Sequence, residues 1–519
     1  MTNKRHKNIK LFLFLILLFT FVYFILQWWS KNYVQDLLSE KLPSHFVLMY
    51  TDLDVNILSG SVVLLNPSLK ISNKDTLQNH TDLKLESLQL KGIGYWDILF
   101  NETLSIKNIL LKNPKLHHYP YKKMSSKKTN NNANNKGIKT IKFDELNITN
   151  GNIHIMKQSV DSIKISVSSF DLKISESHIN LLADNKKSIN YNRYNLIAKN
   201  IILGKSDYET FKVDHLNADE KKWEIENLQI IPKYTKRELS RHVSKERDYI
   251  NLNIPKVILN NLDFNFDEER FGVTINSAEI EKPNLEIYRD KLLPDDLTTK
   301  PLYSKSLRKL NFDLAVNKTE IKNGYISYAE LVEPDKKAGK LFFNKVDATI
   351  NHLTNDKNAQ ETAIKIHSSL MGKAPLELNW NFDVNNASDA FNISGAVSDL
   401  PAEDLNPFFK PNLNALAEGT LQQMYFTFYG NTTKSKGEIK MKYEDFKFEI
   451  LQKNGFKINK VLTAIGNIFI NDGSATDAEG FRHGAIEAQR NVTKSFFNYL
   501  WINVKSGLVS TLTGNGKKK

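Results

Sequence analysis

The chain holds 519 residues, enough for two to four domains or one extended repetitive structure. At 41% hydrophobic and 25% charged it has the ordinary globular balance, which excludes a collagen-like or mainly disordered chain. The net charge of +13 is spread among interleaved acids and gathers into no stripe, which argues against a nucleic-acid partner, and the absence of Cys excludes disulfides, thiolate metal sites and a cysteine nucleophile.

Residues 1–10 form a basic tail with Lys4, Arg5, Lys7 and Lys10. The run 11–29, LFLFLILLFTFVYFILQWW, carries no charge and at 1.5 Å per residue comes close to the roughly 30 Å hydrocarbon core, so it is predicted to be a transmembrane anchor. Leu11, Phe14, Leu18 and Phe21 would face lipid, and Trp28 and Trp29 would sit at the far interface. The run exceeds a signal-peptide core and ends in Trp-Trp-Ser-Lys instead of a small-x-small cleavage site. With the basic flank inside, the N-terminus is expected in the cytoplasm and about 490 residues across the bilayer.

Over residues 30–46, Tyr33, Val34, Leu37, Leu38 and Leu42 recur at helical spacing up to Pro43, which predicts an amphipathic continuation of the helix. From residue 47 the apolar period becomes two. Ile163, Ile165 and Val167, Phe312, Leu314 and Val316, Leu376, Leu378 and Trp380, and Phe426 and Phe428 all alternate with polar residues, which predicts a mainly β fold of antiparallel strands. These residues are the candidate lining of an apolar groove. A degenerate unit recurs in LLKNPKLHHY (110–119), LNITNGNIHI (146–155), VILNNLDFNF (257–266), EIEKPNLEIY (279–288) and EIKNGYISY (320–328). Its central Asn-Pro, Asn-Gly, Asn-Asn or Lys-Pro pair has the chemistry of a turn. Residues 125–136 are predicted to be a loop, with a second polar stretch at 233–247.

The repetitive strand region is assigned to 47–392, a further strand segment to 393–450, and helices with a basic tail to 451–519. Helical spacing returns at 458–469 and again where Phe496, Phe497, Leu500, Trp501 and Val504 make a broad apolar face. That face suits either an interfacial helix touching a membrane or a helix packed on the end of the sheet.

No nucleophile elbow, His-Glu-x-x-His pair, P-loop or dinucleotide fingerprint is present, so no catalytic, cofactor or metal residues are assigned. His117 and His118 fall in a predicted strand, where they point to opposite faces. The acidic groups at 267–269 and 295–296 adjoin turns, and sequons such as Asn147 and Asn431 are expected by chance in an Asn-rich chain.

Two segments give the layout a resemblance. DLDVNILSGSVVLLNPSL (52–69), with Gly60 at its turn and Pro67 after the second strand, is similar to the opening hairpin of the AsmA-like family of bacterial envelope proteins. ISGAVSDLPAEDLNPFFKPNLNALAEGTLQQMYFTFYGN (393–431) is similar to that family's C-terminal repeat, with Gly395, Gly419 and Gly430 in strands and a helical corner at Leu405-Asn406-Pro407. The resemblance implies a long curved antiparallel β-sheet forming a groove, an inner-membrane anchor and a periplasmic body. It also implies phospholipid or another acyl-chain lipid as partner, in outer-membrane homeostasis, with outer-membrane or envelope proteins as further partners. Three alternatives stay open: a core that the protein fills itself, a structural or assembly factor acting through sheet-edge contacts, and a hydrolase with a site assembled from scattered residues.

Overall fold

The computed structural model describes residues 2–40, 42–43, 45–72, 79–120, 139–157, 163–180, 189–204, 206–266, 270–450 and 476–512. The loop expected at 125–136, the acidic group at 267–269, the helical stretch at 458–469 and the terminal lysines lie outside the described residues. The fold is mainly β, and the chain divides into two compact units: residues 1–204 with 213–220, and residues 205–212 with 221–519.

The first unit begins with α1 (Thr2–Glu40), which joins the expected apolar run and its amphipathic continuation in one helix. Among the described residues no helix is long and apolar enough to cross a membrane. The expected span begins at Leu11, whereas the side chains described in α1 begin at Leu15. Short strands follow: β1 (Phe46–Met49), β2 (Asp52–Asn56), β3 (Ser61–Leu65), β4 (Ser68–Ser72), β5 (Asn79–Lys84) and β6 (Ser87–Ile93), then helix α2 (Tyr95–Phe100). Next come β7 (Thr103–Lys112), β8 (Lys115–His118) and the longer β9 (Thr140–Met156), β10 (Ile163–Asn180), β11 (Ile189–Asn190) and β12 (Arg193–Leu203). Strand β13 (Glu209–Asp219) contributes residues to both units.

The second unit contains β14 (Lys222–Pro232), α3 (Lys236–His242), β15 (Asp248–Phe266), β16 (Phe271–Glu281), β17 (Asn284–Asp290), α4 (Tyr303–Arg308), β18 (Asp313–Leu331) and β19 (Gly339–Thr354). It continues with β20 (Thr362–Leu370), β21 (Ala374–Phe382), β22 (Phe391–Pro401), a 3-10 turn over Ala402–Leu405 and α5 (Asn406–Leu413). It closes with β23 (Ala415–Gly430), β24 (Lys434–Ile450), β25 (Arg482–Gln489) and α6 (Phe496–Leu512). The expected helical corner is present, and the Asn406 side chain fixes it by bonding both the N–H (2.8 Å) and the C=O (3.0 Å) of Ala417.

Three of the expectations change, the first at residues 451–519, assigned to helices and a basic tail, where strand β25 (Arg482–Gln489) pairs with β24 ahead of α6. The strands are not all antiparallel: β7 and β8 pair in parallel with β9, and β16 and β17 pair in parallel with β18. A parallel pair needs a crossover of a dozen or more residues, and residues 119–139 and 291–312 supply that length. The recurring Asn, Pro and Gly pairs are also not hairpin turns. Asn150, Asn261 and Asn323 lie inside β9, β15 and β18 with φ of 50°, 49° and 52°, so each strand passes through a left-handed residue without reversing. Asn is one of the few side chains that tolerates this conformation. At Asn113-Pro114 and Lys282-Pro283 the missing proline N–H interrupts the strand, yet β7 and β8 continue along the same neighbour, as do β16 and β17.

These kinks are stitched to one another. The N–H of Asn113 donates to Thr149 O (2.9 Å) and that of Lys282 to Lys322 O (2.7 Å), one residue before the kink of the neighbouring strand. Across Asn150 the apolar residues step by three, from Ile148 to Gly151 and on to Ile153, while Thr149 and Asn150 are exposed. The opposing strand makes the same step from Val167 to Phe170, with a register shift at that point. Both halves of each strand therefore keep their apolar side chains on one face, and a bulge of this kind also bends and twists the strand. Gly151 is required here, since a Cβ would lie 2.4 Å from the Phe170 ring that covers it.

Candidate functional site

Directly paired residues share a face, so the register converts the period of two into rows that run from strand to strand. In the first unit one such row reads Leu48, Leu69, Leu83, Leu116, Ile153, Val167, Ile201. A second reads Leu53, Leu64, Leu88, Leu111, Ile148, Leu172, Leu196. The candidate residues Ile165 and Val167 belong to this face, opposite Ile155 and Ile153. Ile163 pairs with Met156, and its side chain lies outside the described residues. The neighbouring positions form a polar row, Lys70, Asp82, His117, His154, Ser166.

The two rows differ in cover. Val34 and Leu38 of α1 pack over Leu53, Val55 and Leu64 at the start of the second row. Beyond them Leu88, Leu111, Ile148, Leu172 and Leu196 are only half-buried, as is every member of the first row. This face is aliphatic, continuous across the strands and partly open.

The second unit uses the same pattern differently. Ile364, Trp380, Ile393, Phe428, Gly437 and Ile486 form one row, and Ile366, Leu378, Gly395, Phe426, Ile439 and Gly484 the next. Helix α6 lies on them. Phe496 stacks on Trp380 at 4.5 Å, and Tyr499 meets Phe391 edge to face at 5.7 Å. Gly507 comes so close that a Cβ there would be 2.8 Å from the Ile439 side chain. The candidates Phe426 and Phe428 are buried in this core, with Leu376, Leu378 and Trp380 packed against it. Val316 is buried, Leu314 is half-buried, and Phe312 continues an aromatic file through Phe271 and Phe264 to Trp223.

On α6 itself, Phe496 is buried and Leu500 and Val504 pack in part on the core, while Phe497 and Trp501 face outward. In α1, Leu18, Phe21, Trp28 and Trp29 are exposed; Leu11 and Phe14 are helical, with side chains outside the described residues.

Polar contacts that the periodicity does not reveal fasten these parts. Gln27 bonds the edge of β2, its Nε2 donating to Val55 O and its Oε1 accepting from Ile57 N–H at 3.1 Å. Along β25, the N–H groups of Ala485 and Glu487 donate to Ser510 Oγ (2.9 Å) and Ser506 Oγ (3.1 Å) of α6. Gln27 was visible in the sequence as a polar residue in an apolar run. The two serines carried no signal beyond lying four apart on a helix.

Just before α6, Lys494 donates to Glu246 (2.9 Å) and pairs with Asp295 (2.7 Å), and Lys291 also donates to Glu246. Burial works to raise the Glu246 carboxyl, yet the hydrogen bonds from Lys291 and Lys494 hold it down at about 2. A folded value below the unfolded 4.5 means that the stabilisation is whole above that pH and is lost as pH falls toward 2. Glu246→Gln is expected to cost about 2 kcal/mol at pH 7, allowing for the solvent exposure of the lysines. The mutant's unfolding midpoint should converge on the wild type's in acid titrations monitored by circular dichroism.

The histidines separate as expected for a strand. His118 shares Thr81 with His80 (2.9 and 2.7 Å), and His117 lies beside His154 with ring centroids 5.2 Å apart. Burial, then the neighbouring His80 and Lys164, lower the His118 pKa. Among the described residues no group of three or more His, Asp or Glu could hold a metal ion.

These faces define a class: a mainly β protein with a part-open aliphatic face in its first unit and, in its second, a face closed by its own helix. No family model matches the chain, and no curated protein matches it.

Proposed function

We propose that the protein is an inner-membrane-anchored envelope factor whose bulk lies in the periplasm, where the apolar rows of its first unit bind phospholipid acyl chains without covalent chemistry, as the resemblance to AsmA-like proteins implies. The reading is carried by one observation: the half-buried aliphatic row from Leu48 to Ile201, with a parallel row that starts beneath α1. Covering such a surface returns about 25 cal/mol per Å², so a hydrocarbon chain that buries ~200 Å² gains about 5 kcal/mol. The contact has no directional component, so a chain could slide from one strand to the next with little change in energy. On this reading α1 spans the membrane through residues 11–29, and the curved groove and traffic toward the outer membrane belong to the same proposal.

Action through sheet edges is the weaker reading, because Gln27 occupies the edge of β2 and Ser506 and Ser510 that of β25. Native mass spectrometry of the detergent-extracted protein tests the choice. Phospholipid retained on the protein supports acyl-chain binding, whereas a stoichiometric protein partner without lipid would overturn it.

A further inference from the structure

We propose that Leu58 and the short helix α2 form a second, monotopic contact with the bilayer that holds α1, a knob that dips into the phospholipid headgroup and upper acyl region. The inference rests on the anchoring of α1 proposed above and adds a surface to it. Leu58, Trp96 and Phe100 are 80%, 73% and 72% exposed, and the two rings stack at 5.4 Å. The two stacked rings form a contiguous exposed apolar surface, the kind that marks a contact site, and Leu58 follows the residue bonded to their helix.

The backbone of Ile57 fixes the level of the patch. Its N–H donates to Gln27 of α1 at 3.1 Å, and its carbonyl accepts the Tyr95 hydroxyl of α2 at 2.9 Å. Gln27 is the residue before Trp28-Trp29, where the apolar run ends and its rings suit the headgroup region. A side-chain amide that bonds a strand edge belongs where the helix leaves hydrocarbon, since a bare strand edge has no place deeper in the bilayer. The residue after Ile57 and the helix bonded to Ile57 are therefore pinned at the membrane surface. The exposed rings extend the amphipathic belt that Trp28 and Trp29 begin, which favours a phospholipid surface over a protein as the occupant.

The cysteine-free chain allows single reporters. Leu58→Cys, Phe100→Cys and, as an exposed control in the second unit, Lys357→Cys would each be labelled with an environment-sensitive nitrobenzoxadiazole dye. The full-length proteins would be reconstituted into phosphatidylethanolamine and phosphatidylglycerol vesicles containing nitroxide lipid. Flotation reads the anchor independently of the dye. The expected result is a floating protein whose labels at 58 and 100 shift to shorter wavelength and are quenched by the nitroxide, while the label at 357 is unchanged. Adding Trp96→Glu should reduce quenching at position 58. A floating protein whose labels at 58 and 100 behave like the one at 357 would overturn the knob and leave the anchor standing. A blue-shifted but unquenched label would overturn it in favour of a protein contact. A chain that fails to float would overturn the anchor, and the knob with it.

Discussion

Phe428→Ala is expected to destabilise the second unit by about 3–5 kcal/mol, the usual cost of removing a fully buried aromatic ring from a core that cannot collapse around the void. Phe428 has no exposed surface, and its neighbours are fixed from several directions. Ile393 and Gly437 flank it on the adjoining strands, and Phe391 meets it edge to face at 6.3 Å. Closer approach by the Gly437 strand is blocked, since a Cβ built on that glycine would already lie 2.6 Å from the Phe428 side chain. Hydrogen exchange resolved along the chain is the appropriate measurement, because two compact units need not unfold together. Amides of β22 to β25 should lose protection while those of β9 and β10 keep theirs. An effect below about 1 kcal/mol would mean that this layer is not packed as described. Leu116→Ala, at a half-buried position of the first unit, should cost distinctly less.

On the acyl-chain binding proposed above, the second large effect falls on retained lipid. Ile153→Glu places a charge in the middle of the open row, between Leu116 and Val167. Contact with hydrocarbon would then require desolvating a carboxylate. Phospholipid retained after extraction should fall about tenfold or more, which corresponds to a loss of about 1.4 kcal/mol or more in binding. Thr149→Lys is the control on the same strand, at an exposed position of the kink, and should leave retention unchanged. Equal retention by both variants, with unfolding midpoints matching the wild type, would remove the row from the binding surface.

The period of two was enough to identify a mainly β fold, and the corner near Asn406 was legible because Leu-Asn-Pro stops one strand and starts a helix within a few residues. Other features were hidden for physical reasons. Asn serves equally in a turn and as a left-handed residue within a strand, so the pairs holding Asn150, Asn261 and Asn323 read as turns. Parallel pairing depends on where a crossover returns the chain, which local periodicity does not encode. Cover was also invisible: Val167 and Phe428 both alternate with polar neighbours, yet the first is half-buried and the second lies under α6. That difference comes from Gly484 and Gly507, which let the helix settle onto its strand, and glycines at such spacing look unremarkable in a sequence.

The glutamine bonded to β2 and the serines bonded to β25 bear on how copies behave when crowded together. Bare backbone at a terminal strand would invite another chain to add itself, and repetition of that step builds fibrils. Here an incoming chain meets amide and hydroxyl groups already engaged, so neighbours can pack densely without polymerising through these two strands.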